Sequence, residues 1–153
     1  MQRTFYKYQG TGNDFIILDN RLDEVNGLSK KQIIDLCDRK FGIGADGLML
    51  LNKEEGYDFK MVYFNADGNE STMCGNGGRC LVKFAYAMGI HKSVYTFCAI
   101  DGEHNAEITD KGIVRLKMND VNTIENHATY SILNTGSPHF IKYSSNVKDI
   151  DVV

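Results

Sequence analysis

Met73-Cys74-Gly75-Asn76-Gly77-Gly78-Arg79-Cys80-Leu81-Val82-Lys83-Phe84-Ala85-Tyr86-Ala87-Met88-Gly89 is the stretch around which the rest of this 153-residue chain can be arranged. It reads as a helix from about Asn76 to Met88, with Gly89 at the C′ position. Only Arg79 and Lys83 carry charge, so the helix is apolar almost all round. Such a helix belongs inside a domain rather than on its surface. Cys74 stands directly before its glycine-rich opening. Unpaired N–H groups leave a helix N-terminus in a positive local potential, which favours a thiolate and can hold a carboxylate. Gly75, Gly77 and Gly78 would let such a ligand approach the backbone closely. A thiol in this setting suits nucleophilic attack or proton exchange. The alternative is a merely structural cysteine at a helix start. That plainer reading fits Cys37, Cys80 and Cys98, which lie in apolar helix or strand contexts.

Upstream of this helix, Thr4–Tyr8 and Phe15–Leu18 read as strands around a Gly-Thr-Gly-Asn loop. Ser29 and Gln32 form a capping box opening a helix that would bury Ile33, Ile34, Leu36 and Cys37 and break at Phe41-Gly42. Gly42-Ile43-Gly44-Ala45-Asp46-Gly47 reads as a loop, Leu48–Leu51 and Phe59–Phe64 as strands, and Asn65–Asn69 as a turn. Downstream, strands are expected near Val94–Phe97, Ala106–Thr109 and Ile113–Met118. The implied class is α+β, an antiparallel or mixed sheet wrapped around a central buried helix. Residues 1–118 would form this domain and 119–128 a linker. Residues 129–153 look like a restart, the beginning of a second pseudo-symmetric half. Thr11-Gly12 and Thr135-Gly136 lie 124 residues apart, and Phe-Ile follows each, with one extra residue in the second copy. The counterpart of the Cys74 region would then fall beyond residue 153.

Composition closes off other classes. Apolar residues make up 42% and there is no low-complexity stretch, so a globular core is expected rather than disorder. Lys plus Arg is 17 against 20 for Asp plus Glu, a net charge of −3, which argues against nucleic-acid or anionic-membrane binding. No signal sequence or membrane span is evident, so the cytoplasm and reduced thiols are expected. The four cysteines do not alternate with histidines at zinc-binding spacing, and no metal site is expected. His91, His104 and His127 read as surface residues. Gly42–Gly47 spells Gly-x-Gly-x-x-Gly, but it follows a helix and enters a strand, the reverse of the dinucleotide-binding order.

Gly12-Asn13-Asp14-Phe15, Gly42–Gly47, Phe64-Asn65-Ala66-Asp67-Gly68 and Met73–Cys80 occur in the order found in diaminopimelate epimerases. The chain resembles the amino-terminal half of that cofactor-independent amino-acid epimerase family from Met1 to about Tyr143. The resemblance implies two pseudo-symmetric halves, each a sheet around a central helix, with the active site between them. One cysteine would remove the α-proton as thiolate while another returns a proton from the opposite face. Cys74 matches the first. Gly75 and Asn76 match residues that hold the substrate α-carboxylate, and Asn13 and Asn65 match side chains that bind its polar ends. Gly136-Ser137-Pro138-His139 resembles the family's Gly-Asn-Pro-His, giving His139 a role in cysteine protonation. Ser137 and Gly47 depart from the asparagine and glutamine of other members. In turns, however, Asn13 and Asn65 also have a purely conformational reading, and His139 also reads as an exposed turn residue.

The resemblance further implies LL- and meso-diaminopimelate as small-molecule substrates, no cofactor, and a homodimer. The alternatives are a related proline-type racemase and a non-catalytic ligand-binding half that lacks the second cysteine.

Overall fold

The computed structural model describes residues 3–25 and 27–151. They divide into two compact units, one ending at Lys117 and the other starting at Met118. In the first unit, β1 (Tyr6–Gly10), β2 (Asn13–Asp19), β3 (Gly47–Asn52), β4 (Lys60–Asn65), β5 (Val94–Ala99), β6 (Gly102–Ile108) and β7 (Val114–Leu116) form one sheet in sequence order. Helix α1 (Lys30–Cys37) connects the parallel pair β2–β3, and helix α2 (Gly75–Ala87) connects the parallel pair β4–β5. All other neighbours in this sheet are antiparallel. A mixed sheet around a buried helix was the expected class, and α2 packs against β1, β2, β3, β6 and β7, reaching both ends of the sheet. The sheet is therefore curled about it.

The strands explain their own apolar runs. Phe15 and Ile17 on β2, with Met49 and Leu51 on β3, face the core that contains Leu81, Val82, Phe84 and Ala85 of α2. The alternate residues Ile16, Leu18, Leu48 and Leu50 face a second core with Ile33 and Cys37 of α1. A strand buried on both faces reads as a continuous hydrophobic run, which is why Phe15–Leu18 and Leu48–Leu51 do not alternate. Each fully buried large side chain contributes about 1.5–3 kcal/mol, so α2 is held mainly by burial.

Helix α1 carries the expected capping box between Ser29 and Gln32. It stops four residues short of Phe41-Gly42, because the Asp38 carboxylate accepts the N–H groups of Lys40 and Phe41, both at 2.7 Å. Ile34, expected inside, is 40% exposed on this short helix. Helix α2 starts at Gly75, one residue before the expected start. Its end is a Schellman arrangement, with Ile90 N–H donating to Ala85 C=O and Gly89 N–H to Tyr86 C=O. His104 corrects another expectation. It is buried on β6, with Nε2 3.0 Å from the Asp101 carboxylate and its ring against Phe97.

In the second unit, β8 (Ile124–Asn126), β9 (Ser131–Asn134) and β10 (Pro138–Ile141) form an antiparallel sheet of order β10-β9-β8. The stretch 119–128 is thus more than a linker: Ile124 pairs with Leu133 and Asn126 with Ser131. A short 3-10 helix, Val147–Asp149, follows. The two similar sequence segments make similar hairpins. In β1–β2, Gly10 pairs with Asn13 across Thr11-Gly12, whose φ values of 56° and 86° are those of a type I′ turn. In β9–β10, Asn134 pairs with Pro138 across three residues, which accommodates the extra residue of the second copy.

Gly47 has no room for a side chain. A Cβ there would lie 2.5 Å from both Phe64 C=O and Tyr63 Cε2. Gly47→Ala is expected to destabilise the first unit by about 1–3 kcal/mol, read as a lowered urea midpoint. An unchanged midpoint would show that β3 and β4 can move apart without cost.

Candidate active site

Burial of α2 brings its N-terminus to the edge of the core, and with it Cys74. Cys74 is the N-cap residue, extended at φ −98° and ψ 125°, and its side chain makes no capping bond. Gly78 N–H donates to Cys74 C=O at 2.7 Å and closes the first turn. The N–H groups of Gly75, Asn76 and Gly77 come before that first intrahelical bond and point out of the helix end. Cys74 is half-buried, whereas Gly77, Gly78 and Cys80 behind it are buried.

The start of β2 meets this helix end. Asn13 Oδ1 lies 3.6 Å from Cys74 Sγ and accepts from Asn76 Nδ2 at 3.5 Å. Asn13 Nδ2 donates to the Asp46 carboxylate at 2.7 Å. Asp46 also accepts from Asp14 N–H at 3.1 Å and from the Arg39 guanidinium at 2.7 Å. Arg39 and Lys7 both reach Asp14 at 2.7 Å, and Lys7 also donates to Gly44 C=O. On the far side, Asn76 Oδ1 accepts from Arg79 and from the Thr11 hydroxyl. The loop Gly42–Gly47 thus serves as a mount for Asp46 beside Asn13.

These charges shift one another. The Arg39 guanidinium, followed by Lys7, holds the Asp14 carboxyl well below the usual carboxylate range against the effect of burial. Asn13, then Asp14 N–H and Arg39, hold Asp46 low as well. Burial pushes the Cys80 thiol up to about 11 and raises Cys37 too. Burial, and then the neighbouring Cys74 sulfur, push the Tyr63 phenol up to about 12.

Asn13, Cys74, Gly75 and Asn76 are therefore brought together. Asn65 is the last residue of β4, exposed, with its backbone in the expected turn. The register Phe15–Gly47–Asn65 across β2, β3 and β4 puts Asn65 at the same end of the sheet as Asn13. His139 belongs to the second unit, exposed on β10, where Nε2 lies 2.8 Å from the Thr135 hydroxyl. Sequence reasoning gave no role to Asp46, Arg39, Thr11, Arg79 or Tyr63. The one signal for Asp46 was an acid inside a glycine-rich loop.

A family model described as diaminopimelate epimerase matches residues 5–124. The chain belongs to the diaminopimelate epimerase family. It is 55% identical over 147 residues to a protein of Flavobacterium psychrophilum named diaminopimelate epimerase, covering 96% of this chain and 57% of that one. A protein of the same name from Chlorobaculum tepidum is 44% identical over 151 residues, covering 94% and 58%. The chain spans little more than half the length of these two relatives. Among solved structures, a PhzF-family phenazine biosynthesis protein of Bacillus anthracis shares the fold at TM-score 0.67 and 16% identity, covering 90% of this chain and 54% of that one. A probable proline racemase of Agrobacterium radiobacter does so at TM-score 0.55 and 12% identity, covering 84% and 48%.

In this member of the diaminopimelate epimerase family, the ion pairs beside Asn13 make a specific acid response. The Asp14 carboxyl is depressed in the folded state, so its stabilisation is present above the unfolded value of about 3.9 and is lost as pH falls through the lower folded value. Asp14→Asn is expected to lower the urea midpoint at pH 7, with the gap to the native protein closing below about pH 4. A gap that stays constant down to pH 2 would show that the ion pairs do not contribute to stability.

Proposed function

We propose that this protein carries the Cys74 half of an amino-acid epimerase active site that interconverts LL- and meso-diaminopimelate. The observation that carries the reading is Cys74 at the N-cap of α2, its sulfur beside the open first turn of Gly75 and Asn76. The substrate α-carboxylate binds the N–H groups of that turn. Cys74, as thiolate, takes the α-proton, and the electron pair left on carbon spreads into the carboxylate, where the same N–H groups stabilise the added charge. A second thiol on the opposite face gives its proton to carbon and inverts the centre. Cys74 ends as a thiol and the second group as a thiolate, so charge and protons balance and no cofactor takes part.

Within this chain, Cys37 and Cys80 are buried in the two cores and so are poorly placed to be that second thiol. Asn13 and Asn65, at one end of the sheet, bind the polar ends of the substrate, and His139 helps to set thiol protonation. The two similar hairpins support reading the unit from Met118 as the start of a second pseudo-repeat. Membership of the family supports a homodimer acting in lysine and peptidoglycan precursor synthesis. Four free cysteines are consistent with the cytoplasm. Among the described residues no helix is long and apolar enough to cross a membrane.

The test is exchange of the α-proton of LL-diaminopimelate in D₂O, followed by mass spectrometry, on this chain and on the full-length gene product. Deuterium uptake with at least one of them is expected. Cys74→Ser is expected to reduce exchange by about 10²–10⁴-fold, the usual worth of a positioned acid–base group, with the circular dichroism spectrum unchanged. Ordinary exchange in that variant would remove Cys74 from the chemistry. Exchange with proline but not diaminopimelate would move the assignment to a proline-type racemase.

A further inference from the structure

The proposed reaction leaves Tyr63, on β4, without a role. Tyr63 is only 8% exposed, with its ring edge-on to Phe15 at a centroid distance of 5.9 Å. Among the described residues its hydroxyl has no hydrogen-bond partner, whereas a buried phenol ordinarily finds one. The two nearest carboxylates are already engaged, Asp46 by Asn13, Asp14 N–H and Arg39, and Asp67 by Asn69. The fully buried polar side-chain atom without a partner among the described residues is His104 Nδ1, so the Tyr63 oxygen keeps contact with solvent. Tyr63 is thus a buried side chain whose polar tip alone opens outward.

The tip opens at the Cys74 end of the sheet. Tyr63 pairs with Met49, but its ring slants along the strands to the next pair on the same face, Gly47 and Asn65. A Cβ on Gly47 would stand 2.5 Å from Tyr63 Cε2 and 3.1 Å from its hydroxyl oxygen. The slant is toward the end of the sheet that carries Asn13 and Asn65. Cys74 reaches the same place from α2. A Cβ on Gly77 would meet both Cys74 Cβ, at 3.5 Å, and Met49 Sδ, at 3.1 Å, and Cys74 packs on the core to which Tyr63 belongs. Pushed up to about 12, mainly by burial, the phenol keeps its proton near neutral pH and is available as a donor.

We propose that the Tyr63 hydroxyl is a ligand-binding group of this site, donating a hydrogen bond to a carboxylate oxygen of the bound amino acid. This deepens the proposed function and rests on Cys74 marking the site. The open N–H groups of Gly75 and Asn76 are donors as well, and together with a neutral phenol they suit an anionic acceptor. Gly47 then serves the site as well as the sheet, because a residue without a side chain leaves the phenol its place beside β3.

The test is protection of Cys74 from iodoacetamide, followed by peptide mass spectrometry on the full-length gene product, with LL-diaminopimelate and L-proline as probes. Tyr63→Phe removes the hydroxyl and keeps the ring. It is expected to raise the diaminopimelate concentration for half-protection about tenfold, the worth of one hydrogen bond to a charged group, without lowering the urea midpoint. A merely structural hydroxyl would give a lowered midpoint and an unchanged half-protection concentration, and either result would overturn the proposal. α-Proton exchange by the native protein decides the epimerase reading separately, so an unchanged half-protection concentration beside ordinary exchange removes the hydroxyl alone. If proline protects and diaminopimelate does not, the diaminopimelate reading fails, and weaker protection by proline in Tyr63→Phe upholds the hydroxyl assignment. Protection by neither probe overturns it.

Discussion

Burial of α2 is the constraint on which the other features depend. A helix with apolar side chains on nearly every face is stable only when surrounded, and one flat sheet cannot surround it. Leu81, Val82, Phe84 and Ala85 are buried among residues from β2 through β6. Curling the sheet to achieve this brings β1 and β2 against one flank of α2 and β6 and β7 against another. The first turn of the helix then lies where the start of β2 meets it. Cys74 is half-exposed for this reason: it is the residue at which the chain passes from an extended segment into a helix that must be inside.

The same packing explains why the site is polar. Gly10 lets the β1–β2 hairpin come close to the helix start, since a Cβ there would lie 3.4 Å from Asn76 Cβ, and Asn13 reaches both Cys74 and Asn76. A polar contact at the rim of an apolar core requires partners that fix its direction. Asp46 provides that on one side and Arg79 on the other. Arg39 and Lys7 in turn balance the two carboxylates, Asp14 and Asp46. The glycine-rich loop before β3 is therefore an electrostatic mount for the helix end. Its last glycine, Gly47, is imposed by the contact between β3 and β4.

Much of the fold was legible because its signals are local. The capping box at Ser29 needs only four residues to be recognised, and it is present. The unbroken runs Phe15–Leu18 and Leu48–Leu51 were legible as strands, and the structure adds that both are buried on both faces. Errors occurred where a long-range partner decided the outcome. His104 looks like a surface residue among Asp101, Glu103 and Asn105, but the alternation of β6 turns it into the core beside Phe97. Helix α1 ended early because one side chain, Asp38, competed for its next N–H groups. Residues 119–128 lacked periodicity, since a three-residue strand is too short to show any.

By itself the sequence determined which helix is inside, where Cys74 stands on it, and which four ordered motifs accompany it. These follow from hydrophobic pattern and helix-end chemistry, which act within a few residues. Tertiary structure alone decided that Asp46 faces Asn13, that Arg39 bridges Asp14 and Asp46, and that the Asn13 carbonyl meets the sulfur. Those contacts join residues 33, 25 and 61 positions apart. Hydrogen-bond direction depends on which donor and acceptor finally share a space, and the curl of the sheet around α2 brings them there.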